Sequence, residues 1–136
     1  MNRILIAEDE PRIAAFIEKG LMQQGFATAI AHDGEMALQF LKTDKFDLLL
    51  LDIQLPIKSG WLILEELKSK NKHLPIIVIS ACFDAQFRIQ EISQQNHQYI
   101  EYVSKPFRFA DLLTRVKNIF SLHSSWQNSS SLAFPD

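Results

Sequence analysis

The chain has 136 residues, 47% of them hydrophobic and 22% charged, with a formal net charge of −2. That length suits one domain with a real core, and the near-neutral charge argues against direct nucleic-acid binding, which needs a basic face. The lone cysteine, Cys82, excludes an internal disulfide and a cysteine-based zinc site, which fits a reducing compartment. Along the chain, Arg3 to Ala7 reads as a strand. Pro11 to Gln24 reads as a helix, with Ile13, Phe16, Ile17 and Leu21 at helical spacing and Gly25 as its stop. Ala27 to Ala31 is a second strand. Asp33 is a candidate N-cap for a helix to Leu41 carrying Met36, Ala37 and Phe40. Phe46 to Leu51 is a third strand, a leucine run of the kind buried on both faces of a parallel sheet. Trp61 to Lys70 is a helix with Leu62, Leu64 and Leu67. Ile76 to Ile79, Asp84 to about Gln95, Ile100 to Val103 and Phe109 to Leu122 continue the alternation as strand, helix, strand and helix. Phe16, Phe40 and Phe87 are expected in the core.

Five βα units in a row specify an α/β fold with a doubly wound, five-stranded parallel sheet and right-handed crossovers. From about His123 the pattern stops. Ser124-Ser125, Ser129-Ser130-Ser131 and Pro135 mark residues 123–136 as a tail or truncated linker. No apolar stretch approaches the roughly 18 residues of a membrane helix. Met1-Asn2-Arg3 leads into four apolar residues and then three acids, which does not read as a signal peptide, so the expected location is cytoplasmic.

Polar chemistry follows several of these strands. Glu8 and Asp9 follow the first, Asp52 the third, Ser80 the fourth, and Lys105-Pro106 the fifth. Each has a plain reading. Glu8 and Asp9 complement the dipole of the helix that starts at Pro11. Ser80 caps the next helix. Lys105 is an exposed lysine before a turn. Strands one and three, however, are neighbours in the common order 2-1-3-4-5, and ligands bind at that switch point. Three carboxylates there repel unless a cation joins them, and oxygen ligands of this kind suit Mg²⁺ or Mn²⁺. The four histidines, at 32, 73, 97 and 123, have no ligand spacing.

In combination these segments resemble the receiver domain of two-component response regulators, over about residues 2 to 122. The resemblance rests on Ile4-Leu5-Ile6-Ala7-Glu8-Asp9-Glu10, Ala31-His32-Asp33-Gly34-Glu35-Met36-Ala37-Leu38, Leu51-Asp52-Ile53-Gln54-Leu55-Pro56 with Gly60, Ile79-Ser80-Ala81, and Tyr102-Val103-Ser104-Lys105-Pro106-Phe107, all in order. It implies a flavodoxin-like fold, with residues 1–122 as the phosphoacceptor domain. It implies that Asp52 accepts a phosphoryl group from a histidine kinase in a Mg²⁺-dependent reaction. Asp9 would bind the metal directly, Glu8 through water, and the Gln54 carbonyl would complete the protein's ligands. Lys105 would pair with a phosphoryl oxygen, and a cis Lys105-Pro106 bond would turn its ammonium toward Asp52. Ser80 would hydrogen-bond the phosphoryl group, and Tyr102 would change rotamer with it. The chemistry agrees: Asp52 is already ionised at neutral pH and needs no general base, while Mg²⁺ and Lys105 would neutralise the transferred group.

The implied partners are a sensor histidine kinase or a phosphotransfer protein, with no membrane. Phe107 to Val116 looks like the last helix of the winged-helix transcription-factor subfamily. That implies an output face on the fourth helix, fifth strand and last helix, and a homodimer on phosphorylation. Glu101 and Arg115 would fall on that face, with Ile89, Leu112 and Val116 as candidate apolar contacts. The chain departs from the family in a longer Ser80-to-Lys105 segment, in Gln98-Tyr99 where Gly-Ala is usual, and in a serine at 80 where threonine is usual. Two other readings use the same fold. An aspartyl-phosphate phosphohydrolase would need an acid two residues after Asp52, where Gln54 cannot transfer protons. A flavin or nucleotide carrier would need a phosphate-cradling loop after the first strand, where Glu8-Asp9-Glu10 repels phosphate.

Overall fold

Among the described residues, five short strands, each five residues long, alternate with five helices. The structure, a computed structural model, describes residues 2–70, 73–81, 84–96 and 99–133, without the side chains of residues 95, 96 and 123–133. The elements are β1 (Arg3–Ala7), α1 (Pro11–Gln23), β2 (Ala27–Ala31), α2 (Gly34–Thr43), β3 (Leu48–Asp52), α3 (Gly60–Ser69), β4 (Ile76–Ser80), α4 (Ala85–Asn96), β5 (Ile100–Ser104) and α5 (Phe109–Ala133). The strands form one parallel sheet in the order β2-β1-β3-β4-β5.

Local chemistry starts and stops the helices. Asp33 accepts a hydrogen bond from the Met36 N–H at 2.7 Å, satisfying one of the first free donors of α2. Glu10 caps α1 ahead of Pro11, and Gly25, at a φ of +92°, turns the chain out of that helix.

The central strands β3 and β4 are buried throughout, which is why they read as unbroken Leu and Ile runs rather than alternating ones. Leu5, Ala7, Leu49, Leu51, Ile76 and Val78 join a core with α2, α3 and α4. The intervening residues, including Ile4, Ile6, Leu48 and Leu50, turn to the other face by the two-residue period, and α1 packs on β1 and β2.

The chain divides into two compact units, Met1–Pro106 with the sheet and four helices, and Phe107–Asp136 with α5. On α5, Leu112, Val116 and Ile119 recur at helical spacing and are buried.

Several expectations are corrected here. Phe16 and Phe87 are not core residues; they are 56% and 63% exposed. The buried stripe of α1 runs through Ala14, Ile17 and Leu21 and that of α4 through Ala85 and Ile89, which puts both phenylalanines on the opposite side. Met36 and Leu62 are also partly exposed, at 39% and 46%, for the same reason. Ile89, Leu112 and Val116 are buried, so none is available as a surface contact for association. The last helix does not stop at Leu122 but continues to Ala133. No glycine or proline interrupts residues 123–133, and the first breaker is Pro135. Cys82, His97 and Gln98 lie outside the described residues.

Candidate functional site

Parallel register delivers the polar residues to one edge. Ala7 pairs with Leu51, so the residues that follow them, Glu8 and Asp52, emerge side by side. Ser80 pairs with Ser104, which brings Lys105 in next to the end of β4. The Lys105 N–H donates to the Ser80 carbonyl at 2.9 Å, and the Lys105–Pro106 peptide is cis. The lysine side chain reaches back across β4 and β3. Its Nζ stands 2.9 Å from Asp52 Oδ2 and 2.7 Å from Glu8 Oε1.

The other carboxylate oxygens are held by main chain. The Gln54 N–H donates to Asp52 Oδ1 at 2.9 Å, and the Glu10 N–H donates to Glu8 Oε2 at 3.1 Å. Glu8 and Asp52 are buried, whereas Asp9 is exposed. One carboxylate oxygen from each of Glu8, Asp9 and Asp52 lies within 4.8 Å of the others.

The site is electrostatically uneven. Burial raises the Glu8 carboxyl above its ordinary value; the Lys105 ammonium and the Glu10 N–H oppose this, and the Asp52 charge adds to it. Burial works to lower Lys105, but the hydrogen bonds and charges of Glu8 and Asp52 outweigh it, so its pKa is raised and it stays protonated. One ammonium pairs with two of the three acids. The donor set is all hard oxygen, partly open to water through Asp9, and it fits a hard divalent cation better than a softer metal.

The remaining predicted residues take distinct places. Ser80 is fully buried at the end of β4. Tyr102, half-buried on β5, donates its hydroxyl hydrogen bond to the Ser80 carbonyl at 3.1 Å. Gln54 is exposed in the loop after β3, next to the acids. The sequence reading missed three features. It paired Lys105 with Asp52 alone, but the shorter contact is to Glu8. It did not find the Arg88 guanidinium over the Trp61 ring, 4.0 Å from the centroid, because nothing in the sequence spacing links α3 to α4. It read Asp33-Gly34 as a helix start and as part of a family motif but assigned Gly34 no contact, although the absence of a side chain there was the available signal for a close approach by the Lys58 carbonyl.

This is a doubly wound α/β domain with an acid–lysine cluster at the carboxyl edge of its sheet. Residues 4–117 match the response regulator receiver domain, and the chain belongs to that family. It is 35% identical over 117 residues to the transcriptional regulatory protein CusR of Escherichia coli, covering 86% of this chain and 50% of that one. The chain thus spans about half the length of the curated relatives it matches first. Among solved structures it resembles the receiver domain of a Francisella response regulator, with a TM-score of 0.80 and 28% identity over 90% of this chain and 99% of that one. It also resembles TrrA of Thermotoga maritima, solved in complex with Mg²⁺ and BeF, with a TM-score of 0.74 and 34% identity over 88% and 99% of the two chains. The family is one of signalling domains, and neither the phosphohydrolase nor the carrier reading is favoured. Among the described residues, no helix is long and apolar enough to cross a membrane.

Proposed function

We propose that Asp52 is the phosphoacceptor of a two-component switch, labelled from the phosphohistidine of a sensor kinase or phosphotransfer protein. The supporting observation is the Lys105 ammonium at 2.9 Å from Asp52 Oδ2, inside a cluster of three carboxylates. A carboxylate oxygen of Asp52 attacks phosphorus in line; the new O–P bond forms as the donor's N–P bond breaks and the imidazole leaves with that electron pair. The Gln54 N–H orients the carboxylate. Lys105 follows the transferred oxygens as Asp52 loses its own charge to them. Asp9, Glu8, Asp52 and the Gln54 carbonyl would hold Mg²⁺, with Mn²⁺ as the alternative, and the ion would supply positive charge to the phosphoryl oxygens. The Mg²⁺ complex of TrrA supports this choice.

Ser80 and Tyr102 are the switch pair in this reading: Ser80 moves toward the phosphoryl group and Tyr102 follows. The output face of the sheet unit includes α4 and β5, with a homodimer on phosphorylation as one use of it. Residues 123–136 are a tail or linker outside the receiver unit, in keeping with a family match that ends at residue 117. The expected setting is the cytoplasm, and the names of the relatives favour transcription as the process controlled.

The test is intact-mass measurement after incubation with acetyl phosphate and Mg²⁺. One phosphoryl group is expected on the unsubstituted chain and none on Asp52→Asn. Equal labelling of the variant refutes the assignment.

A further inference from the structure

The Pro56 carbonyl accepts two hydrogen bonds, from the Lys58 N–H at 2.8 Å and from the Gly34 N–H at 3.1 Å. The first closes a γ-turn around Ile57. Ile57 has a φ of +71°, a left-handed conformation that β-branched residues avoid. Its side chain is 74% exposed, so burial does not hold it there. The first turn of α2 does. The Lys58 carbonyl occupies the space where Gly34 would carry a Cβ, and any larger residue at 34 would collide with it. Lys58 Nζ also pairs with Glu35 Oε2 at 3.0 Å. At the other end of the same loop, the Gly60 N–H donates to the Ile53 carbonyl at 2.9 Å. A Cβ on Gly60 would stand 2.7 Å from Ile53 Cα and 2.8 Å from the Asp52 carbonyl oxygen. Residues 53–60 therefore form a loop fixed at base and tip by two backbone contacts that only glycine permits. Gln54 lies inside it, with its N–H on Asp52 Oδ1.

We infer that Gly34 is a positioning residue for the carboxylate site: the start of α2 seats the Pro56–Lys58 turn, and that seat fixes Gln54 and, through it, Asp52. The α2 N-terminus thereby becomes part of the metal and phosphoryl site. This rests on the Mg²⁺ reading of the site given above. A displaced carbonyl at 58 must move the loop, because the obstacle at Gly34 is backbone and cannot rotate away. The turn has little freedom to follow, since an isoleucine at a φ of +71° has few neighbouring conformations open to it.

Mg²⁺ affinity, read from the Mg²⁺-dependent rise of the thermal midpoint, tests the inference in four proteins. The unsubstituted chain sets the reference. Gly34→Ala is expected to weaken Mg²⁺ binding about 10-fold or more, the loss typical of groups that orient metal ligands. Gly34→Ala combined with Ile57→Gly should recover part of it, because glycine lets the turn relax around the displaced carbonyl. Leu21→Ala, a buried position on α1, should lower the midpoint while keeping the reference Mg²⁺ affinity. Reference affinity in Gly34→Ala overturns the inference, as does an equal loss in Leu21→Ala, which would make the effect one of general stability. If Gly34→Ala alone does not fold, the double variant is compared with Ile57→Gly alone: weaker Mg²⁺ binding in the double variant supports the inference, and equal affinity in the two overturns it. No response to Mg²⁺ in the unsubstituted chain overturns the metal reading itself.

Discussion

Lys105 and Asp52 lie 53 residues apart in sequence and 2.9 Å apart at their charged atoms. With Glu8 as its second partner, the lysine pairs with two buried carboxylates at once. Lys105→Met should destabilise the metal-free protein by about 3 kcal/mol, because it strands buried charge rather than merely losing an attraction. It should also slow labelling by acetyl phosphate. Urea unfolding without divalent metal measures the first effect. A loss below about 1 kcal/mol would show that the pair behaves as a surface contact.

The raised Glu8 carboxyl gives a pH dependence of definite sign. Between the ordinary carboxylate value of 4.5 and its raised value, the folded chain binds a proton that the unfolded chain has released. Stability from this group therefore falls as pH rises through that window. Metal-free protein should lose stability as pH rises through that window, and Glu8→Gln should flatten that loss. Lys105 acts at the other end: its contribution is present below 10.5 and is lost as pH rises through its raised pKa. Unfolding midpoints across pH, with and without Glu8→Gln, decide this. A slope unchanged by the substitution would assign the effect to other groups.

Asp9 is the exposed member of the acidic trio. Asp9→Ala should weaken Mg²⁺ binding and slow labelling. Without metal it should leave stability unchanged or slightly improved, since it removes a like charge from beside Glu8 and Asp52. Calorimetric titration with Mg²⁺ is the check, and an undiminished affinity would remove Asp9 from the ligand set.

The fold and the carboxylates were legible because both depend on patterns the chain displays linearly. Leu48 to Leu51 announces a doubly buried strand, and an acid directly after such a run lands on the carboxyl edge. The helix faces were less legible. Phe16 and Phe87 are hydrophobic at nearly the right spacing, but hydrophobicity does not say which side of a helix is covered. The Lys105–Glu8 contact was hidden for another reason. It depends on the reach of a lysine across two strands, and no local spacing encodes that distance. The seat at Gly34 joins backbone to backbone, so the only sign it leaves in the sequence is the absence of a side chain.

Burial of Ile89, Leu112 and Val116 changes what an output interface can use. Phe87 on α4 is 63% exposed and Tyr99, just before β5, is 36% exposed. If phosphorylation produces a homodimer, Phe87 is the apolar side chain expected to carry it, and polar pairs at the rim would add only about 0.2–1 kcal/mol each. Phe87→Ala should then abolish any phosphorylation-dependent dimer in sedimentation while leaving Asp52 labelling intact. A dimer that survives the substitution would place the interface elsewhere. Monomers at tens of micromolar in both states would remove the homodimer and direct attention to a different partner.

Trp61 should report the state of Asp52. It is the second residue of α3, directly after Gly60, which is packed on the Asp52 carbonyl, and its ring lies under the Arg88 guanidinium of α4. The stack therefore joins the Asp52 loop to the helix that follows Ser80. At a largely exposed arginine it contributes about 0.5–1 kcal/mol. Arg88→Gln should lower stability by no more than that and shift Trp61 emission in the resting protein. Trp126 also fluoresces, so the comparison belongs in a Trp126→Phe background. If the phosphoryl group draws Ser80 inward and α4 moves with it, the stack opens, and the guanidinium no longer sits over the ring. The two spectra, distinct at rest, should then converge when beryllofluoride and Mg²⁺ are added. Spectra that remain as different after the addition as before would show that α4 keeps its place on α3 and that the switch travels by another route.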